Sequence, residues 1–336
     1  MSKSIILKFV AAACVIALVA CGVLVFGKTV HIGLSYADAA QYTAGGTTLN
    51  ADIKNLDINW IDGSVNIAYH AQDTVEIAET APKAIPEDGA LRWWLDGDTL
   101  RIQYAKPGFF SLRSLEKALT VTLPEGIELG SVAIDATSAD VNVPDLRSDD
   151  VQIDLTSGNL ALRQSGKAAR VALSSTSGDL QAALEDAKRV NVSATSGTIV
   201  LEQTGAADSI RLSGTSTDIR ATLASAGDVS VSTTSGTIDV AGGDVRKVSV
   251  ESTSGDIGVR LTAFDELRID ATSGNVTATL PSQPGYQADV DTTSGRFDYA
   301  VALSREGDRY VCGDGSARVR IDTTSGDVKL TEANEP

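Results

Sequence analysis

The tripeptide Thr-Ser-Gly, or a close variant of it, recurs along the chain at almost constant spacing. The steps between successive copies are 19, 20, 19, 20, 19, 19, 19, 21 and 31 residues. The copies begin at Thr137, Thr156, Thr176, Thr195, Thr215, Thr234, Thr253, Thr272, Thr293 and Thr324. A fixed short period is typical of repeat architectures, in which each unit buries its apolar side against the next copy.

The pattern within one unit predicts two strands and a corner. Val151, Ile153 and Leu155 alternate with polar residues, and Leu160 and Leu162 follow the tripeptide. A period of two on both sides indicates strands with one buried face, and the change of parity at Gly-x indicates a bend that glycine accepts. We expect serial rungs ~4.8 Å apart, with ladders of inward aliphatic residues, inward serines and outward threonines.

An apolar segment precedes the repeats. Residues Phe9 to Gly27 form an uncharged run of 19 residues, which at ~1.5 Å per residue nearly crosses a hydrocarbon core of ~30 Å. Lys3 and Lys8 lie before it, and the positive-inside rule then places the N-terminus in the cytoplasm. The sequence therefore predicts an all-β, single-stranded β-solenoid (β-helix) of ~19-residue rungs, preceded by one N-terminal transmembrane helix in the cell membrane.

Two other processing routes fit the same segment. A cleaved signal peptide also has an apolar region, although this run is long and lacks a clear small-x-small exit site. The run Leu18-Val19-Ala20-Cys21 resembles a lipobox, which makes Cys21 a candidate for lipidation as an alternative anchor. An uncleaved helix and a lipidated Cys21 both place the repeats on the extracytoplasmic side.

The chain divides by composition into segments with different expected roles. These are a cytoplasmic N-terminus and anchor (1–30), a linker (31–43), an N-terminal β cap with the first rungs (44–130), the solenoid repeats (131–330, with an insert at 302–317) and a polar tail (331–336).

The N-terminal cap is rich in aromatic residues. Residues 44–118 hold seven of the sixteen aromatics of the chain, and 91–104 predict a hairpin around Asp96-Gly97. A solenoid must protect its open end against edge-to-edge pairing, so we interpret this segment as an aromatic cap. Because neighbours on a strand point to opposite faces, either Trp93 or Trp94 would be free to contact a sugar or a partner. They are the candidate ligand-binding residues.

Several repeats carry a family resemblance. SVAIDATSADVNV (131–143), VQIDLTSGNLAL (151–162) and VRIDTTSGDVKL (319–330) resemble the bacterial putative-adhesin β-strand-repeat family, a membrane-tethered group of largely unknown function. LTVTLPEGIEL (119–129) is similar to that family's entry into its repeats. The resemblance covers roughly residues 47–330. It implies the solenoid fold and an adhesin-type role, and it supplies no catalytic residues.

Charge and motif content argue against several function classes. The formal net charge of −16 repels phosphate backbones, so no nucleic-acid partner is expected. A calcium ladder is disfavoured, because Thr198, Thr237 and Arg296 replace the Asp or Asn found at this position in the other copies. The two histidines, His31 and His70, lie in no ligand cluster, and no nucleophile or phosphate-loop motif is present. We expect no catalytic residues, no metal and no cofactor.

The sequence thus favours a non-catalytic, membrane-anchored extracytoplasmic solenoid that acts as an adhesin-type surface-binding or scaffolding module. Ladders of Thr, Ser and acidic side chains would contact a cell-surface glycan or protein ligand. An envelope-stress or regulatory partner of another membrane protein, acting through the transmembrane helix, is the alternative, and it would depend on residues 1–30. A carbohydrate-active β-helix enzyme is a third hypothesis, which would depend on one or two carboxylates.

Overall fold

The computed structural model describes residues 36–109 and 114–333, and these form β-strands with two single-turn 3-10 helices. None of the helices in this described part is long and apolar enough to cross a bilayer. The predicted transmembrane run and Cys21 lie outside the described residues. The helices are Ala39–Gln41 and Glu87–Gly89. The strands are β1 Thr43–Ala44, β2 Thr47–Leu49, β3 Asn55–His70, β4 Val75–Thr80, β5 Arg92–Asp96, β6 Thr99–Gln103, β7 Ala118–Pro124, β8 Leu129–Leu146, β9 Ser148–Ser157, β10 Leu160–Ser177, β11 Leu180–Ser235, β12 Ile238–Ser254, β13 Ile257–Ala263, β14 Glu266–Ser273, β15 Val276–Leu280, β16 Gly285–Ser294, β17 Phe297–Ala300, β18 Ser304–Glu306, β19 Arg309–Gly313, β20 Ala317–Ser325 and β21 Val328–Glu332.

The predicted all-β solenoid is confirmed. Successive copies pair in parallel and in register, so that Val151 lies beside Val171 and Val171 beside Val190. These three side chains are at most 3% exposed, and each belongs to one continuous apolar core. Each copy therefore buries its aliphatic face against its neighbours, because a unit of this size has no core of its own.

At corners such as that of Gly178, the backbone angle and the available space both favour glycine. Gly178 has φ +128°, a conformation that residues with a Cβ rarely adopt. A Cβ atom there would lie 1.9 Å from the carbonyl oxygen of Gly158, the equivalent residue of the preceding rung. Ala139 and Thr217 occupy this position in two copies without a positive φ, and strands β8 and β11 run through those corners.

The Asp or Asn after the corner joins one rung to the next. The Oδ1 atom of Asp140 accepts a hydrogen bond from the backbone N–H of Asn159 at 2.8 Å, and Oδ1 of Asn159 accepts from the N–H of Asp179 at 3.0 Å. The same bond recurs from Thr198 to Asp179 and from Asn275 to Asp256. Asp and Asn are common in tight turns, and at this position they also form a ladder of hydrogen bonds between rungs.

The predicted serial order of rungs is wrong at the C-terminal end. Strand β14 pairs with β20, and β20 pairs with β16, so the last repeat in sequence lies between the two repeats that precede it. The second strands follow the same order, β15 beside β21 and β21 beside β17. The rung that follows β14 and β15 in sequence, made of β16 and β17, is therefore the terminal one. The last rung in sequence, made of β20 and β21, lies between them.

The N-terminal end has the same kind of departure from serial order. Strand β3 pairs with β8 on one side and with β6 and β7 on the other. Strand β3, the first long strand in sequence, is thus the inner rung of the cap. Strands β6 and β7 form the outer rung, and β8 begins the regular array. Strands β4 and β5 cover the outer rung in antiparallel fashion, and the short β1 and β2 lie beyond them. Short strands leave little open edge for another chain to pair with.

A buried lysine holds this N-terminal cap together. The side chain of Lys117 is fully buried, and its Nζ atom lies 2.7 Å from Oε2 of Glu79. The ammonium also donates to the carbonyl oxygens of Gly89 and Tyr104, and it lies 4.8 Å from the ring centroid of Trp60. Burial lowers the pKa of Lys117 from the ordinary lysine value, against the raising effect of Glu79.

The insert forms a hairpin at the opposite end. Strands β18 and β19 pair with each other, and β19 pairs antiparallel with the first residues of the terminal strand β16. Cys312 is 1% exposed beside Tyr286, and burial raises the pKa of its thiol. Cys312 is therefore a packed thiol, because a reactive cysteine needs access and a lowered pKa. The ring centroids of Tyr299 and Tyr310 lie 6.0 Å apart at this end of the solenoid.

Candidate functional site

The first strand of every rung contributes to one continuous outer surface, which we call the long face. Its outward side chains form straight columns, because paired strands keep their register from rung to rung. The long face consists of the outward side chains of 131–138, 150–157, 170–177, 189–196, 209–216, 228–235, 247–254, 266–273, 318–325 and 287–294. A rigid surface with chemically similar groups at each step can contact a partner at several points simultaneously.

A groove of about 810 Å³ runs along one edge of the long face. We call it the hydroxyl groove, because threonines and serines dominate its lining. Its acidic members form one column near the C-terminal end: Glu251, Asp270, Asp322 and Asp291. Two of these acids are ion-paired within their own strands, since Arg268 lies 2.7 Å from Asp270 and Arg320 lies 2.7 Å from Asp322.

The threonine and the serine of the tripeptide are both exposed to solvent. Thr176 and Thr253 are exposed, as predicted for the outward threonines. The prediction of an inward serine ladder is wrong, because Ser177 and Ser254 are also exposed. The buried small polar residues lie two positions earlier, for example Ser175 at 6% exposure. The bend at the corner begins before the glycine, so the serine no longer follows the alternation of the strand.

A second groove of about 490 Å³ adjoins the first on the same face. We call it the arginine groove. Five basic and two acidic side chains line it, a formal charge of +3 in a chain whose net charge is −16. The basic residues are Arg170, Arg189, Arg211, Lys247 and Arg268, and the acids are Asp228 and Glu266. Between them lie the short polar side chains of Asn191, Ser209, Ser230 and Ser249, and the lining also includes the aliphatic residues Val190, Ile210, Val229 and Val248.

The basic residues are not equivalent. Lys247 lies in one column between Asp228 and Glu266, and Arg268 is paired with Asp270. Arg189 and Arg211 are exposed, and neither forms an ion pair within the part of the chain that the structure describes. The N-terminal end of the groove is therefore its most strongly cationic part.

The tryptophans predicted as ligand-binding residues lie elsewhere, on the N-terminal cap. Both side chains are half-buried on β5. Trp93 packs against the core, and the ring of Trp94 lies 5.6 Å from that of Tyr42 on the other side of the strand. The opposite orientation expected of strand neighbours is present. Neither residue lines the hydroxyl groove or the arginine groove.

The grooves offer hydrogen-bond donors, acceptors and charges, but no cluster suited to metal binding. Within residues 36–109 and 114–333, no group of three or more His, Cys, Asp or Glu side chains is placed to hold a metal ion. What the arrangement can do chemically is recognise a polar, extended ligand.

Sequence reasoning missed the arginine groove, although a signal for it was present. Basic residues recur six or four positions before the threonine of the tripeptide, as in Arg189 and Thr195, Arg211 and Thr215, and Lys247 and Thr253. Aligning the copies on the tripeptide would have shown two adjacent columns with basic residues on the same face.

Comparison with known proteins identifies a family. The model of the Toastrack DUF4097 family matches twice, at residues 53–209 and 186–331. No curated protein matches the chain. Among solved structures, a putative adhesin from Parabacteroides merdae is 15% identical with a TM-score of 0.43, covering 88% of this chain and 97% of that one. A putative adhesin from Bacteroides fragilis is 11% identical with a TM-score of 0.31, covering 87% and 98%. A putative cell adhesion protein from Clostridium sporogenes is 13% identical with a TM-score of 0.19, covering 87% and 100%.

Proposed function

Because the chain belongs to the Toastrack DUF4097 family, we propose that it is a membrane-anchored, extracytoplasmic β-solenoid that acts as a non-catalytic, adhesin-type binding or scaffolding module. The apolar run at residues 9–27, with lysines before it, supports the anchor and its orientation. The solenoid then stands outside the cytoplasmic membrane and presents its long face to a cell-surface glycan or protein.

The hydroxyl groove is the observation that carries this proposal. Its threonine and serine hydroxyls recur at each rung, and rungs lie ~4.8 Å apart, so a ligand along the axis meets the same donor and acceptor repeatedly. Backbone pairing of every rung with its neighbours holds these groups in place before binding. A preorganised surface loses little conformational entropy on association, and weak contacts then add up to useful affinity.

The direct test measures binding of the full-length protein, purified in detergent, to cell-wall fragments and to an array of glycans. The variant Thr234→Lys/Thr253→Lys places two long cations in the hydroxyl groove. The matched control, Thr222→Lys/Thr277→Lys, makes the same change at two exposed threonines on the second strands of the rungs. Saturable binding that is lost in the groove variant and kept in the control supports the proposal.

A different result would favour the regulatory alternative. If a well-folded protein binds neither fragments nor glycans, and its effect on cells depends on residues 1–30, the helix rather than the solenoid carries the function. Exchanging residues 1–30 for an unrelated membrane anchor separates the two, since an adhesin-type module keeps its activity after the exchange. Protease treatment of intact cells, or of cells stripped of an outer layer, tests on which side of the membrane the solenoid stands.

The nature of the anchor has its own test. The variant Cys21→Ser leaves a transmembrane helix intact but removes the Sγ atom to which the diacylglyceryl group of a lipoprotein would be attached. An N-terminus that precedes residue 21 in both the unaltered protein and the variant supports the uncleaved helix, whereas an unaltered protein that begins at Cys21 and a variant that keeps residues 1–20 support lipidation.

A further inference from the structure

We propose that the cationic end of the arginine groove binds a linear anionic glycopolymer that lies along the solenoid axis. The polymer carries repeated carboxylate or phosphate groups, which Arg189 and Arg211 bind while the neighbouring serines and Asn191 contact sugar or polyol hydroxyls. The inference deepens the proposed surface function and rests on it for access to such polymers. It names a ligand class and a site distinct from the hydroxyl groove.

The placement of like charges is the first argument. Arg170 and Arg189 are direct partners on adjacent parallel strands. Two cationic side chains in directly opposed positions concentrate positive charge in this part of the long face. Asp150 is the next residue of this column beyond Arg170. Ser209 stands at the position of the next copy that is equivalent to Arg189, 20 residues further along the chain. The column therefore places no acid beside Arg189.

The second argument is the inversion of local charge. The groove carries +3 within a chain of −16, so an anion meets attraction at this location and repulsion over most of the remaining surface. Arg189 and Arg211 are one rung and two residues apart, roughly 8 Å, which suits successive charges of one chain rather than a single small anion. Guanidinium groups bind carboxylate and phosphate oxygens in a bidentate manner.

The composition of the groove favours a glycopolymer over a nucleic acid. Proteins that bind single strands stack bases on aromatic side chains, and none of the residues lining this groove is aromatic. Short hydroxyl and amide side chains instead match the hydroxyls of sugars and polyols. The strongly negative remainder of the chain also repels a duplex.

The test measures binding of the full-length protein to four immobilised probes. These are polygalacturonate as the carboxylate polymer, poly(glycerol phosphate) as the phosphate polymer, dextran as the neutral polymer and a mixed-sequence DNA oligonucleotide. The variant Arg189→Gln/Arg211→Gln removes two charges from the groove. The matched control, Arg163→Gln/Arg260→Gln, removes two exposed arginine charges from the second strands of the rungs.

We expect binding to one of the two anionic polymers, with little binding to dextran or DNA. The groove variant should weaken the affinity by at least about tenfold, because charged hydrogen bonds are lost, and the control should change it by less than about twofold. Raising the salt from about 50 to about 300 mM should weaken binding of the unaltered protein. Which polymer binds then decides between a carboxylate and a phosphate source.

Three results would overturn the inference. These are no binding to either polymer at low salt, equal loss in both variants, and DNA binding as strong as polymer binding. A parallel arm with cell-wall fragments keeps the two proposals separate. Fragment binding that depends on Thr234 and Thr253 but not on the arginines would reject the polymer site and leave the surface function in place.

Discussion

Replacement of Glu79 by glutamine should destabilise the N-terminal cap while leaving the solenoid folded. The carboxylate is 8% exposed and lies 2.7 Å from the ammonium of Lys117, whose side chain has no exposed surface. Its other oxygen accepts the backbone N–H of Leu91 at 2.8 Å. A glutamine side chain would keep the shape and that acceptor, but it would remove the negative charge and turn an N–H group toward the ammonium.

The size of the effect follows from the partners that Lys117 keeps. Removing one member of a buried ion pair typically costs about 3–5 kcal/mol, because the other charge remains desolvated. Two carbonyl oxygens and the rings of Trp60 and Tyr104 still surround the ammonium in the variant. We therefore expect a loss at the lower end of that range, about 3 kcal/mol.

The tryptophans make the assay specific for the cap. All three, Trp60, Trp93 and Trp94, lie in the cap and its inner rung, so their fluorescence reports unfolding of this region alone. Far-UV circular dichroism reports the whole solenoid. In urea, the fluorescence transition of Glu79→Gln should move to lower denaturant while the main dichroism transition stays in place, since repeat proteins unfold in local units.

A matched substitution at an exposed glutamate serves as the control. Glu76→Gln makes the same chemical change at an exposed position of β4 and should shift the fluorescence transition by less than about 0.5 kcal/mol. A Glu79→Gln transition equally close to that of the unaltered protein would refute the argument that the buried pair stabilises the cap.

The pH dependence follows from the lowered pKa of Lys117. The folded state binds fewer protons than the unfolded chain between that lowered value and 10.5, so the free energy of unfolding from this group rises with pH in this window. Lys117→Met should abolish the rise, and an unchanged slope in that variant would contradict the assignment.

The remaining predictions concern the repeats. Gly255→Ala should lower stability by more than about 3 kcal/mol in a thermal melt, because its Cβ would lie 2.0 Å from a carbonyl oxygen of the preceding rung at a φ of +134°; a loss below about 1 kcal/mol would contradict it. Asp256→Ala removes the acceptor of a 2.8 Å inter-rung hydrogen bond and should cost about 1 kcal/mol in urea denaturation. Rung order is testable by disulfide formation. The pair Asp270→Cys/Asp322→Cys should cross-link under mild oxidation, because the residues are direct strand neighbours, whereas Asp270→Cys/Asp291→Cys should not. Cross-linking of the 270/291 pair but not of the 270/322 pair would instead support the serial order of rungs.

Much of the repeat was predictable from local pattern. The alternation around Val151, Ile153 and Leu155 specifies which strand face is buried, and the constant step specifies that copies stack in register. The hairpin predicted around Asp96-Gly97 is also present, as strands β5 and β6. Both depend on interactions between residues close in sequence or equivalent in the repeat, which a pattern can represent.

The candidate site was less predictable, because it depends on positions that only stacking brings together. Trp93 and Trp94 are candidates by residue type alone, and the structure gives each a neighbour in the cap. The arginine groove combines side chains from six rungs, and its net charge is evident only when the columns are aligned in space. No single repeat contains the groove.

The sequence alone determines the fold class, the rung and its corner, because hydrophobic periodicity and the positive φ that glycine accepts are properties of a single unit. The tertiary structure decides which rung neighbours which. Every rung offers the same backbone hydrogen-bonding edge, so local pattern cannot distinguish the serial order from the one in which β20 lies between β14 and β16. The pairing of Lys117 with Glu79, 38 residues apart, likewise depends on tertiary structure, because it requires β4 to pair with β7 in the cap.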